Sequence, residues 1–286
     1  MNDDVIQIYV GVAANNEDLE SQSVLEYTLR KYSSLPVNIT WMKLSRSQTS
    51  PFYCDPKNDT GWKGWRTDLW STPFSGFRWA VPALAWPAPR AIYMDSDVII
   101  RADIAELWRM PLEPGKVLAA KGGAESWRYC VTLFDCDRLE NLPQPWPIPW
   151  FNTLRGDPES HRNAMKFFAG RPDLVQAFPA DANWNCIDGE DYADINDPRI
   201  KILHYSSEAH QPQLKYALPR LEREGGQHWF DGEVKQHWRQ DIVDLFDREF
   251  AFAMAGGFST EKYRREPFGP YVKASNANYT SHKWAK

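Results

Sequence analysis

Residues 92–100 read Ile92-Tyr-Met-Asp95-Ser-Asp97-Val-Ile-Ile100, two acids one residue apart between two apolar, β-rich runs. The flanks predict a buried strand, and an ordinary buried strand does not carry two carboxylates. In extended backbone, residues two apart point to the same face, so Asp95 and Asp97 converge while Ser96 turns away. Two unpaired buried carboxylates are costly, and one of them tends to hold a proton. A divalent cation removes that cost. Mg²⁺ and Mn²⁺ favour carboxylate, water and phosphate oxygens, and α/β sheets bind ligands at the carboxyl ends of their strands, where this pair lies. We therefore expect Asp95 and Asp97 to hold a metal.

Spacing alone does not decide the matter. Asp135-Cys-Asp137 repeats it, but leads straight into Arg-Leu-Glu-Asn-Leu, a short helical pattern, so one of these acids is expected to cap a helix. Asp103-Ile-Ala-Glu106 has the capping-box pattern and is read as structural. No cap accounts for Asp95 and Asp97. His204 ends the late strand-like run Ile200-Lys-Ile-Leu-His-Tyr205 and is open to two readings, a third metal ligand or a satisfied core histidine. His161, His210, His228, His237 and His282 fall in helical or loop settings and make weaker candidates.

Outward from the acidic pair, the chain reads as α/β. Residues 6–12 are β-rich, residues 19–31 carry a helical apolar face, and residues 37–44 form a second strand pattern, giving β-α-β. No GxGxxG follows the first strand, which disfavours a dinucleotide. Residues 45–72 read as a long, Trp-rich functional loop. A helix over 74–84 is limited by Pro82, and further strands are expected at 91–94, 117–120 and 129–134. Alternating prolines make residues 142–150 extended, as a hinge or a wall of an acceptor site. Helices are expected from Asp157 to Gly170, near 213–224 and near 232–250, followed by a polar, loosely ordered tail. Length and pattern suit a single domain: a nucleotide-binding half over about 1–110, an acceptor-binding half over about 111–250, and a tail over 251–286.

The net charge of −5, with no basic stripe, disfavours nucleic acid as a partner. An anionic ligand then needs a bridging cation or local basic residues. Cys54, Cys130, Cys136 and Cys186 show no CxxC spacing, so a zinc site built from cysteines is not expected, and reduced thiols suit a cytoplasmic protein. No signal peptide and no transmembrane segment are expected. Of the 14 Trp, Trp62, Trp65, Trp70, Trp146 and Trp150 are candidates for stacking on an acceptor sugar, with packing in an aromatic core as the alternative.

Several motifs in order resemble a GT-A-fold glycosyltransferase of family 8, the type that includes glycogenin and bacterial lipooligosaccharide galactosyltransferases. Tyr93-Met-Asp95-Ser-Asp97-Val-Ile is similar to the family's Asp-x-Asp strand, and Arg78-Trp-Ala-Val-Pro82-Ala-Leu84 to its Arg-x-x-x-Pro-x-Leu helix. Asp103-Ile-Ala-Glu-Leu-Trp108, Phe178-Pro179 with Trp184-Asn185, and the His204-Tyr205 strand extend the likeness over most of residues 5–215. The resemblance implies a Rossmann-related, mixed but mostly parallel central sheet flanked by helices. It implies hexosyl transfer from a nucleotide-sugar donor, a UDP-sugar, to a carbohydrate or glycoconjugate acceptor, with retention of anomeric configuration and Mn²⁺ or Mg²⁺ as cofactor. It implies Asp95, Asp97 and His204 as metal ligands, and Asp95, Asp97 and Arg78 as catalytic residues. Arg78 is either a fixed charge near the diphosphate or sugar, or a structural partner of Asp95. Donor binding would fall to Ala13, Asn15, Arg78, Ser96, Gln211 and Lys215.

The chain also departs from the family pattern. Gln211-Pro-Gln213 stands where members carry Lys-Pro-Trp, with Lys215 the nearest basic residue. Tyr129-Cys-Val-Thr-Leu replaces the Asn-x-Gly strand, and Ala13-Ala14-Asn15 replaces Ala-Ala-Asp. Two other classes remain open: a non-catalytic nucleotide-sugar or carbohydrate-binding protein on the same scaffold, and a nucleotidyltransferase.

Overall fold

Strand β1 (Ile6–Gly11), helix α1 (Leu19–Tyr32) and strand β2 (Val37–Met42) form the βα-β unit that the periodicity predicts, with β1 and β2 parallel and Ile6 opposite Val37. The computed structural model describes residues 5–58, 61–122, 127–142, 154–191 and 194–272. The expected proline-rich stretch, with Trp146 and Trp150, lies outside them, as does the end of the tail.

The central sheet is a mixed, mostly parallel α/β sheet flanked by helices. Besides β1 and β2 it holds Arg90–Asp95, Leu118–Gly122, Trp127–Asp135 and Val175–Ala177. In chain order these are β5, β7, β8 and β9, because a short hairpin of β3 (Cys54–Asp55) and β4 (Lys63–Gly64) precedes them. The sheet order is β2-β1-β5-β8-β7-β9. The β1/β2, β1/β5 and β7/β9 pairs are parallel, while β8 runs antiparallel to both β5 and β7. A smaller sheet joins β6 (Val98–Ile100), β10 (Cys186–Ile187) and β11 (Ile202–His204) in the order β10-β11-β6.

The acidic pair is therefore not carried on one unbroken strand. The chain leaves the central sheet at Asp95, bends at Ser96 and Asp97, and enters the smaller sheet at Val98. The expectation that the pleat alone would aim both carboxylates is corrected: a bend between two sheets sets their relation. Apolar runs on both sides are still needed, since β5 and β6 are each buried, but in different sheets.

The expected helix over 74–84 is split. A 3-10 turn (Ser75–Ala80) leads into α2 (Val81–Ala85), with Pro82 in the first helical turn, where its missing N–H costs nothing. The turn packs tightly on Trp70: a Cβ at Gly76 would lie 2.3 Å from the Trp70 ring. Trp65 and Trp70 are buried and meet Phe77 edge-to-face at 5.2 and 5.3 Å, so they are core residues and not acceptor platforms. The indole N–H of Trp62 donates to the Trp65 carbonyl, and its ring carries the Arg66 guanidinium at 4.8 Å. Edge-to-face aromatic packing converts the Trp-rich loop into the lid of one core.

Both expected caps form. Asp103 accepts from the Ala105 N–H at the start of α3 (Ile104–Arg109), and Asp135 accepts from the Arg138 N–H at the start of α4 (Cys136–Glu140). Helix α5 (Ser160–Ala169) stops at Gly170, as expected. Helix α6 (Leu214–Arg223) matches the pattern, whereas α7 (Gln240–Ala255) starts later than residue 232. His237 explains the delay: its ring is held 2.9 Å from Asp188 and stacks on Trp238, which keeps that stretch irregular. Helices α6 and α7 pack on α1, and Glu20 and Glu26 of that helix are buried, Glu26 beneath Lys262 and Tyr263. Arg220 of α6 donates to both Glu20 oxygens at 2.6 and 2.8 Å. Lys31 of α1 pairs with Glu249 of α7 at 2.9 Å.

Candidate metal and donor site

Three strand registers build the site. In the β5/β8 ladder Met94 faces Val131, and one further step of that register sets Asp95 beside Cys130. In the smaller sheet His204 faces Val98, which brings the His204 Nε2 to 3.2 Å from Asp97. The parallel β1/β5 pair sets Gly11 against Asp95, so the loop that follows β1 opens on the same edge. Asp95, Ser96, Asp97, Cys130 and His204 line one cavity of about 380 Å³, together with Arg78, Asp18, His161, Gln211 and Trp229.

Arg78 holds Asp95. Its Nε donates to the Ser75 carbonyl at 2.8 Å, one terminal nitrogen donates to Asp95 at 3.1 Å, and its guanidinium lies 5.0 Å over the Tyr93 ring. The Tyr93 hydroxyl donates to the same Asp95 oxygen at 2.6 Å. Of the two roles read for Arg78, the structural one is thus in place, and Arg78 still borders the cavity. A carboxylate bonded to a fixed guanidinium and a hydroxyl is held in one orientation.

Gln211 donates to Asp97 at 2.7 Å and accepts in turn from Gln213. A glutamine with one face on a carboxylate is an orienting group, whereas a lysine there would neutralise it. Lys215 does not replace the missing charge at this edge. It pairs with Asp247 of α7 and is absent from the cavity wall.

The expected donor-binding segment Ala13-Ala14-Asn15 is held by its own neighbours. The Ala13 N–H donates to Asp18 at 2.8 Å, and the Ala14 N–H to the Tyr271 hydroxyl at 2.8 Å. The Asn15 amide donates to the Gly269 carbonyl and accepts from the Gly269 N–H, at 3.1 and 2.8 Å. Residues 256–272 therefore return across the β1 edge, a placement that a polar tail composition does not announce. Asn15 and Tyr271 line a second cavity of about 560 Å³, which shares Trp229 with the first.

Two features of the site escaped the sequence reading. Cys130 has no CxxC spacing, yet an Asp95 oxygen, the Cys130 sulfur and a His204 nitrogen all lie within 4.8 Å of one another. The only signal for it was its place in the strand that replaces Asn-x-Gly. The second is the role of His161, which the sequence offers only as a weaker candidate for a metal ligand. Its Nδ1 accepts from the Trp79 indole N–H at 2.9 Å, which leaves Nε2 to carry the ring proton. Burial, with Arg78 and Arg162 nearby, pushes its pKa down to about 3, so it borders the cavity as a neutral donor.

The residues fit a divalent cation. His204 is 2% exposed, and its Nδ1 has no hydrogen-bond partner, an arrangement a buried imidazole rarely tolerates unless a ligand completes it. Burial alone would lower the His204 pKa, but Asp97 and Cys130 beside it outweigh burial and raise it well above the usual value. A divalent cation bound here would take the place of the proton that those neighbours otherwise attract.

Buried acids at the head of α1 tie stability to pH. Burial, reinforced by Asp18, raises the Glu17 pKa from 4.5 to about 8. Folded chain thus holds this proton where unfolded chain has lost it, so stability falls as pH rises from about 4.5 to about 8. Glu17→Gln imitates the protonated acid: its carbonyl can accept from the Asn15 N–H, and its amide can donate to Tyr271. The variant is expected to melt several °C above the parent at pH 8 and close to it at pH 4.5, on the order of a few kcal/mol at most. Thermal denaturation at the two pH values checks this; an equal shift at both would refute the linkage.

No protein-family model matches the chain. Over 61 residues, 21% of this chain and 16% of the relative, it is 41% identical to "Glycosyltransferase 8 domain-containing protein 1" of Bos taurus. Over 54 residues it is 41% identical to the protein of that name from Rattus norvegicus, of which it spans 15%. The chain thus matches only a small part of these curated relatives. Among solved structures, the galactosyltransferase LgtC in complex with donor and acceptor sugar analogs superposes with a TM-score of 0.50 at 11% identity, over 86% of this chain and 96% of that one. The WbbM bifunctional glycosyltransferase gives 0.52 at 15% identity, over 92% of this chain and 52% of that one. The glycosyltransferase GlyE of Streptococcus pneumoniae TIGR4 gives 0.51 at 13% identity, over 93% and 67%. At these identities the likeness establishes the fold: this chain has a GT-A-like, Rossmann-related α/β architecture.

Proposed function

We propose that the chain is a metal-dependent glycosyltransferase that moves a sugar from a nucleotide-sugar donor, a UDP-sugar, to a carbohydrate or glycoconjugate acceptor with retention of configuration. The observation that carries this reading is that Asp95 and Asp97, from the bend after β5, and His204, from β11, line one cavity. On this reading Asp95, Asp97 and His204 hold Mn²⁺ or Mg²⁺, which supplies Lewis-acid stabilisation of the leaving diphosphate. Residues 1–110 serve the nucleotide and residues 111–250 the acceptor.

The chain's own groups prepare the reaction. Arg78 and Tyr93 fix Asp95, and Gln211 fixes Asp97, so no carboxylate has to reorganise as the donor's anomeric C–O bond breaks. The neutral His161 offers an N–H donor to a sugar oxygen. The bond from the anomeric carbon to the acceptor oxygen forms on the face that the diphosphate leaves, and the acceptor proton passes to the departing phosphate oxygen. No separate base is required.

The test is a donor screen with Mn²⁺ and no acceptor. Slow release of nucleoside diphosphate and free sugar from one UDP-sugar is the expected result. Release of the sugar 1-phosphate from the donor would instead indicate nucleotidyl transfer. Tight donor binding with no turnover, with and without a panel of acceptors, would leave a binding protein.

A further inference from the structure

We infer that Cys130 is a ligand of the metal centre, so that the site selects a borderline ion such as Zn²⁺ or Co²⁺ over Mg²⁺. The inference rests on the reading of Asp95 and His204 as ligands and adds a sulfur donor to them. Cys130 is half-buried on the cavity wall, one residue beyond the Met94–Val131 rung that ends the β5/β8 ladder. Its sulfur, an Asp95 oxygen and a His204 nitrogen lie within 4.8 Å of one another, close enough for small side-chain rotations to bring them to a common ion at about 2.0–2.3 Å. His204 supplies an independent sign that a ligand belongs here: it is buried, and its Nδ1 has no partner.

A cysteine that merely filled space would be expected among apolar groups, as Cys54, Cys136 and Cys186 are. Those three are buried at 1%, 2% and 0% exposure within the hydrophobic clusters. Cys130 stands instead against a carboxylate, an imidazole and the Arg78 guanidinium. Ligand softness then decides the ion. Carboxylates alone suit Mg²⁺ and Mn²⁺, whereas a thiolate beside an imidazole and a carboxylate suits Zn²⁺ or Co²⁺. Metal binding breaks the S–H bond, forms the metal–sulfur bond and releases the thiol proton to solvent. Arg78, already paired with Asp95, offsets part of the negative charge gathered at the ion.

Titration of the whole chain with Co²⁺ reads the sulfur directly. The expected result is visible d–d bands accompanied by a near-ultraviolet sulfur-to-cobalt charge-transfer band. Cys130→Ser is expected to lose the charge-transfer band, keep d–d bands, and bind Co²⁺ more than ~10-fold more weakly while its Mg²⁺ affinity changes little. Cys186→Ser serves as the control that keeps both bands. Thermal melting of each variant without metal shows that the fold is retained. Co²⁺ binding with d–d bands and no charge-transfer band in the parent would overturn the sulfur ligand while leaving a carboxylate–imidazole centre. A charge-transfer band that survives in Cys130→Ser would overturn it as well. Failure of the parent to bind Co²⁺ and Mn²⁺ would remove this inference together with the metal reading of the proposed function.

Discussion

Asp97→Asn is expected to abolish the thermal stabilisation that Mn²⁺ and a donor give the parent, and to lower donor turnover by about 100-fold or more. The position isolates the site from the fold. Asp97 lies at the bend between sheets, with one oxygen 3.2 Å from His204 and the other accepting from Gln211 at 2.7 Å. Asparagine keeps the shape and one acceptor oxygen, so Gln211 retains its partner and the metal-free protein should melt within a few °C of the parent. The negative charge is what disappears. A ligand at a hundredfold excess over its Kd stabilises by about 2.7 kcal/mol, on the order of several °C for a chain of this size. That shift should be missing in the variant, and a full shift in Asp97→Asn would remove Asp97 from the ligand set. Asp95→Asn is the less informative change, because it also weakens the only ion pair of the buried Arg78 among the described residues.

Arg220→Ala is expected to destabilise the chain by roughly 3–5 kcal/mol. Arg220 spans from α6 to α1. It makes two charge-assisted hydrogen bonds to Glu20, both side chains being less than a tenth exposed, and it donates to the Asn16 carbonyl at 2.9 Å. Removing the guanidinium leaves Glu20 buried with a charge and no cation, the case in which a buried pair costs most to break. It also loosens the loop after β1, through Asn16. Replacing both partners with apolar residues, as in Glu20→Leu with Arg220→Met, should recover much of the loss, since a buried ion pair is often worth little against good packing. Urea denaturation of the two single variants and the pair measures this. A loss in Arg220→Ala below about 1 kcal/mol would show that Glu20 finds another partner or water.

The local grammar of the chain was legible wherever one segment decides its own structure. The β1-α1-β2 opening, the caps at Asp103 and Asp135 and the stop at Gly170 follow from period, capping chemistry and glycine placement within a few residues. The contrast between Asp135-Cys-Asp137 and Asp95-Ser-Asp97 was equally local. One pair abuts a helix and caps it. The other has apolar runs on both sides, and its address at the end of a strand could be read before any contact was known.

What tertiary structure alone decided depends on segments far apart in the chain. Cys130 reaches Asp95 because β8 runs antiparallel to β5 in one register; a slip of one residue would turn it to the other face. Gln211 lies on Asp97 while Lys215, four residues on, turns away to Asp247, because α6 begins between them and rotates its side chains about the helix axis. Trp65 and Trp70 look the same in sequence as surface-stacking residues, and the 3-10 turn that places Gly76 and Phe77 against them makes them core. The sequence by itself determined the sheet, its caps and the presence of an acidic site at a strand end, since those depend on neighbours in the chain. Which sulfur, amide and imidazole share that site was decided by strand register and helix placement, which no local period encodes.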